Sequence, residues 1–381
     1  MSDAKSQAER NVEYAREAAQ EEADRQRKAE PAPALAPDEF LAWRSPRFGD
    51  GNPARMDHPL WHWLVRTRWS AWHANNAFNG PSPFDAGPMW CFDRFGMSET
   101  TLPDGRIVHI GGEHEDYYDP DFFIYNDVTV VGPDGSIAIH GYPRDAFAPT
   151  DFHSATLVGE EIFIIGCLGP RADRLVGTTP VYRLALDTWR IERVDTCGDA
   201  PGWIHDHDAE LGADGHSIIV RGGQLWRGEQ RSIRENIDAW SFDTRTGRWT
   251  RLSALDWQRW TMLRLDRQRN RLLDTRQALW DRDHGWPGME SYWRHEEPPA
   301  LDELAVLYRL GPGMPEPEDG SDYNEYRILV DGVAIRFREE SHAVHAIVEG
   351  RLAPERLAAL RRHLLATLAK IDQAAWEIES D

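Results

Sequence analysis

The sequence has little cysteine, no long apolar run and too little positive charge for a polyanion. Only Cys91, Cys167 and Cys197 occur in 381 residues. Their odd number and wide spacing exclude a disulfide framework or a paired-cysteine zinc site and point to reduced thiols. No stretch approaches the roughly 18 apolar residues of a membrane-crossing helix, and no apolar leader opens the chain. These absences predict a soluble, cytoplasmic protein with no membrane partner. Lys and Arg number 43 against 64 Asp and Glu, a net charge of −21. A phosphate backbone needs the opposite balance, so nucleic acid is excluded, while a basic protein partner is permitted. Signatures of phosphate, dinucleotide, serine-hydrolase and zinc-protease sites are missing. No cysteine has an adjacent histidine to activate it.

What is present is repetition, carried by a chain rich in Gly (30) and Trp (17). Ser98-Glu-Thr-Thr-Leu102 leads to Gly111-Gly112, His153-Ser-Ala-Thr-Leu157 to Gly166-Cys167, and His207-Asp-Ala-Glu-Leu211 to Gly222-Gly223. The leucines stand 55 and 54 residues apart (157−102, 211−157), and Asn126 and Asn236 stand two periods apart. Each repeat reads as four short strands. The first places them at its opening, at 106–110, at 122–131 and at 136–140, with Pro-Asp-Gly turns at 103–105 and 133–135. The second places them at 155–158, 162–165, 181–186 and 189–194. The third places them at 209–211, 217–220, 237–242 and 248–252.

Over about 96–253 this pattern resembles the kelch family, with a glycine pair, an aromatic strand carrying Tyr182 or Trp240, and a later Trp189 or Trp249. It departs at Cys167, where the family has its second glycine. The resemblance implies one propeller blade per repeat, with glycines relieving crowding at strand ends. A side chain at Gly222 is therefore expected to enter a packed strand end. Three blades do not close a ring. A worn fourth unit is read at Thr261–Asp266 and 271–273, with a further strand at 304–310, for four to six blades in all.

The fold class is all-β with α additions, a kelch-like β-propeller plus a small C-terminal βββα module. Residues 1–37 read as a charged helical or disordered segment and a Pro/Ala linker. Residues 38–311 hold the propeller and a Trp-rich helix over 59–78. Residues 312–325 are an acidic, Pro-rich linker. Residues 326–381 alternate as strands about an Asp331-Gly332 hairpin turn. A helix from Pro354 follows, with Leu357, Leu360, Leu364, Leu368 and Ile371 on one face.

Polar clusters stand where repeats begin or loops emerge: His114, Glu115 and Asp119; Asp151 and His153; His205, Asp206 and His207. Equivalent positions of successive blades converge on a channel, so His153 and His207 are expected to be neighbours. Such groups suit hydrogen bonding between blades, or divalent-metal binding and acid–base work. Some kelch-like propellers are copper-radical oxidases, mutarotases or iron-dependent specifier lyases. None of their site motifs maps here. Glu115 and Asp119 begin the specifier pattern, but Phe123 stands where it needs His. The first functional reading is a protein-binding module with no cofactor, its acidic surface meeting a basic partner, for example as an immunity protein covering a basic toxin. The alternative is a metal-dependent or sugar-handling enzyme with its site at the channel mouth.

Overall fold

The computed structural model describes residues 7–114, 121–273, 275–276, 306–308, 318–319 and 324–379. They are predominantly antiparallel β with a few helices, and they divide into two units: Met1–Gly228 with Glu235–Ser253, and Glu229–Arg234 with Ala254–Asp381. No helix among the described residues is long and apolar enough to cross a membrane.

The first unit contains three four-stranded antiparallel meanders, one per repeat. The first sheet runs Ser98–Thr101, Ile107–Ile110, Val128–Val131, Ile137–Gly141, with Ala54–Arg55 added at its outer edge. The second runs Ser154–Val158, Glu161–Ile165, Val181–Ala185, Ile191–Arg193. The third runs Trp203–Leu211, Ser217–Trp226, Trp240–Asp243, Arg248–Arg251, with Cys197–Gly198 parallel to its last strand. Three meanders do not close a ring among the described residues. The strand expected over 122–131 is broken at 125–127, because Asn126 turns its amide onto the carbonyls of Tyr142 and Phe147.

The run Glu161-Ile-Phe-Ile-Ile165 is apolar because its sheet is covered on both faces. Ile162 and Ile164 pack with Val108, Ile110 and Val128 of the first sheet. Phe163 and Ile165 pack with Val220, Phe242 and Trp249 of the third. Each such side chain contributes about 1.5–3 kcal/mol by leaving water. The turns are set locally: Asp104 and Asp134 each accept the backbone N–H two residues on.

The Trp-rich segment is two helices, Pro59–Thr67 and Ala71–Ala77, rather than the one expected over 59–78. Arg68 adopts a left-handed conformation that ends the first, and Ser70 caps the second by accepting His73 N–H. Trp61, Trp63 and Trp90 lie in a core with Met56, Leu64 and Tyr125, whereas Trp69 is only partly buried and Trp72, on the second helix, is exposed. The N-terminal segment forms a helix, Gln7–Lys28; just beyond it, the Glu30 carboxylate accepts two-pronged bonds from Arg66.

The second unit is a six-stranded sheet ordered Glu318–Asp319, Glu325–Val330, Val333–Glu339, Ala343–Val348, Gln258–Arg264, Trp376–Ile378. Asp331 and Gly332 both take positive φ (51° and 80°) in the hairpin turn. Helix Pro354–Asp372 buries Leu360, Leu364, Leu368 and Ile371 against Ile335, Phe337, Val344 and Val348. The stretch read as a fourth blade is corrected here: Thr261 pairs with His345 in this sheet, not in a fourth meander. Of the strand expected over 304–310, the described residues 306–308 form a helical turn instead; the others of that stretch, and most of the 312–325 linker, lie outside the described residues.

Candidate functional site

The inner strands of the three sheets meet along two seams. Phe152 N–H donates to Gly96 O and Asp206 N–H to Phe152 O. Gly112 N–H donates to Thr150 O and Cys167 N–H to Ile204 O. At the first seam His153 Nε2 and Ser98 Oγ are hydrogen-bonded at 2.8 Å, and at the second His207 Nε2 and Ser154 Oγ at 2.9 Å. The two histidines are therefore equivalent, as the repeat predicted. Met97 stands in their place in the first repeat. Aligning the repeats on their leucines had put Ser98 opposite His153; strand pairing puts it opposite Ser154, since Ser98 faces Ile110 before Gly111 and Ser154 faces Ile165 before Gly166.

The glycines at these seams share a left-handed backbone: φ is 61° at Gly111, 68° at Gly166 and 62° at Gly222. A Cβ on Gly111 would lie 2.3 Å from Thr150 O, and one on Gly166 the same distance from Ile204 O. A Cβ on Gly222 meets nothing within 4 Å. The expectation of a packed strand end at Gly222 is thus corrected: the crowding atom is a carbonyl of the following repeat, and no described residue supplies one there.

Both seam histidines are buried and hold little charge. Burial pushes His153 down to about 3, with His207 adding repulsion, and pushes His207 down to about 4. His114 is buried in a separate two-stranded sheet, Glu113–His114 with Phe123–Ile124, where Tyr125 Oη is 2.7 Å from its Nδ1; burial and then Arg94 lower it to about 3. Glu113, its neighbour on the strand, turns the other way toward Asp151. Asp151 is fully buried; its Oδ1 accepts Gly169 N–H at 2.5 Å and its Oδ2 has no hydrogen bond of ordinary length. Burial raises the Asp151 pKa, against the opposing pull of Gly169 N–H, Glu113, Arg174 and His205. His205 is buried with neither nitrogen hydrogen-bonded; Nδ1 is 3.4 Å from Asp206 Oδ2 without hydrogen-bonding geometry. Asp206 is exposed.

Asp151, His153, His205, Asp206 and His207 therefore share the two seams, whereas His114 turns away to Tyr125. Glu115 and Asp119 lie outside the described residues. Among the described residues, no group of three or more His, Cys, Asp or Glu is placed to hold a metal ion. Sequence reasoning missed Ser98 and Ser154 as the histidines' partners. It also missed the surface beyond them. His205 lies opposite Gln224 as Phe95 lies opposite Glu113, so both mark one end of the inner hairpins. At that end Phe95 is 68% exposed, and Leu175 and Val176 are 55% and 64% exposed. Val176 reaches Gly228, two residues past the Trp203–Trp226 pair.

No family model matches the chain, and no curated protein matches it. Among solved structures, that of YjhT is similar with a TM-score of 0.33 and 14% identity, over 43% of this chain. The chain spans 56% of that protein's length.

Proposed function

We propose that the three meanders belong to a kelch-like propeller of four to six blades that serves as a soluble, cytoplasmic protein-binding module. Its contact surface is the end of the inner hairpins, and its partner is basic. The observation that carries this reading is the exposure of Phe95, Leu175 and Val176 at the end where Asp206 presents its carboxylate. Exposed apolar side chains beside charge are the composition of a recognition patch. The net charge of −21 favours a basic partner and speeds its encounter. An immunity protein masking a basic toxin is one form such a module takes. The seam histidines, each tied to a serine of the preceding sheet, fit a structural role in this reading. The enzyme alternative draws support only from the buried Asp151 carboxylate, which faces Glu113, and from the His205 nitrogens, which are buried without hydrogen bonds.

Capture from native lysate tests the proposal, comparing the wild type with Phe95→Asp and Asp206→Lys. Both variants change exposed side chains and are expected to fold. Each should lose the captured partner, and wild-type capture should weaken as salt rises. An unchanged set of captured proteins with both variants would sink this surface as the contact site.

A further inference from the structure

A separate cavity of about 240 Å³ lies over the end of the second sheet, beneath the segment 144–150. Its walls include Arg144, Asp145, Cys167, Tyr182, Arg193 and Trp203. Four of its lining residues are charged, and two of these neutralise each other: Arg144 Nη2 is 2.7 Å from Asp173 Oδ2. Arg193 and Asp145 remain. Both side chains are exposed; neither has an ion-pair or hydrogen-bond partner among the described residues, and they are not paired with each other. One cavity thus offers one uncommitted cation and one uncommitted anion. A simple anion would meet Asp145, a simple cation would meet Arg193, and an apolar solute would leave both charges unanswered.

The rest of the wall mixes polar groups with the carbon surface of Tyr182, Trp203 and three prolines. The Trp203 indole N–H is already bonded to Leu168 O at 3.1 Å, so the ring brings carbon surface rather than a free donor. The Cys167 thiol, pushed up to about 12 by burial and then by Asp151, stays protonated and offers no nucleophile. Cavities for drug-sized ligands run to about 300–1,000 Å³, so this one suits something smaller. We propose that the cavity binds a free α-amino acid, its carboxylate on Arg193, its ammonium on Asp145 and its side chain against Trp203 and Tyr182. Binding is non-covalent and reversible.

Titration calorimetry on the full chain tests this, with each of the twenty free L-amino acids as probe. The best binder is then compared with its N-acetyl derivative, which lacks the ammonium, and its amide, which lacks the carboxylate. At least one amino acid should bind saturably, and each blocked form should bind roughly tenfold or more weakly, the loss of one charged hydrogen bond. Arg193→Gln and Asp145→Asn alter exposed side chains and should each weaken the free amino acid by a similar factor. Arg193→Gln should leave the amide's residual affinity unchanged, and Asp145→Asn that of the N-acetyl form. The proposal falls if no amino acid binds saturably up to millimolar concentration, if the blocked forms bind as tightly as the free one, or if both variants bind like the wild type.

Discussion

His153 and His207 each hold a serine of the preceding sheet while burial keeps them neutral. Removing either leaves a half-buried hydroxyl without its partner, so His153→Ala and His207→Ala should each cost about 1–2 kcal/mol in urea unfolding. The pH dependence has a definite sign. The unfolded histidine titrates near about 6.5, whereas the folded values are about 3 for His153 and about 4 for His207. Below pH ~6.5 the unfolded chain takes up a proton that the folded chain refuses until those lower values. Their contribution is therefore complete above that pH and is lost as pH falls, by about 1.4 kcal/mol per unit for each group. Burial lowers His109 and His140 to about 4 as well, and they add to the same loss. The urea midpoint should fall from pH 6.5 to 4, more shallowly in His207→Gln, by an amount roughly in keeping with one such group. Parallel curves for wild type and variant would show that His207 carries charge in the folded protein. Glycine separates the two seams from the third repeat. Gly166→Val drives a side chain into Ile204 O, whereas Gly222→Val meets only backbone strain of about 1–3 kcal/mol. Gly166→Val should be the more damaging in the same assay, and the reverse order would contradict the open space at Gly222.

Strands and turns were legible wherever the deciding information is local. The meanders follow from β-branched runs between Asp-Gly turns, and the C-terminal hairpin from alternation about Asp331-Gly332. Helix Pro354–Asp372 shows the same: steps of three and four place Leu364 on its inner face, where it is fully buried. Leu364→Ala should cost about 2–5 kcal/mol, read from denaturant unfolding, and a loss under about 1 kcal/mol would mean the face is not core. What failed was the choice of partner across long sequence separation. Thr261-Met-Leu-Arg-Leu265 announces a strand but not a sheet, and its partners His345 and Val344 lie beyond a long intervening segment. The break in the Trp-rich helix was written in Ser70, a capping residue, but the helical spacing of the tryptophans masked it.

Over the whole molecule, the repeat exposed the equivalence of His153 and His207, because period alone brings them to successive seams. It did not expose their partners, because a one-residue difference in turn length shifts Ser98 against the leucine alignment. Nor did it expose the apolar end, since Phe95, Leu175 and Val176 follow no period. Each seam joins two repeats adjacent in the chain, and its backbone bonds run both ways: Phe152 and Asp206 donate back to Gly96 and Phe152, while Gly112 and Cys167 donate forward to Thr150 and Ile204. A ribosome delivers the repeats one after another. Each meander leaving the exit tunnel meets a dock already built, and the carbonyl that covers Gly111 or Gly166 arrives with the next one. The seams thus close from the N-terminal side during synthesis, and a ribosome stalled between repeats would leave every earlier seam intact.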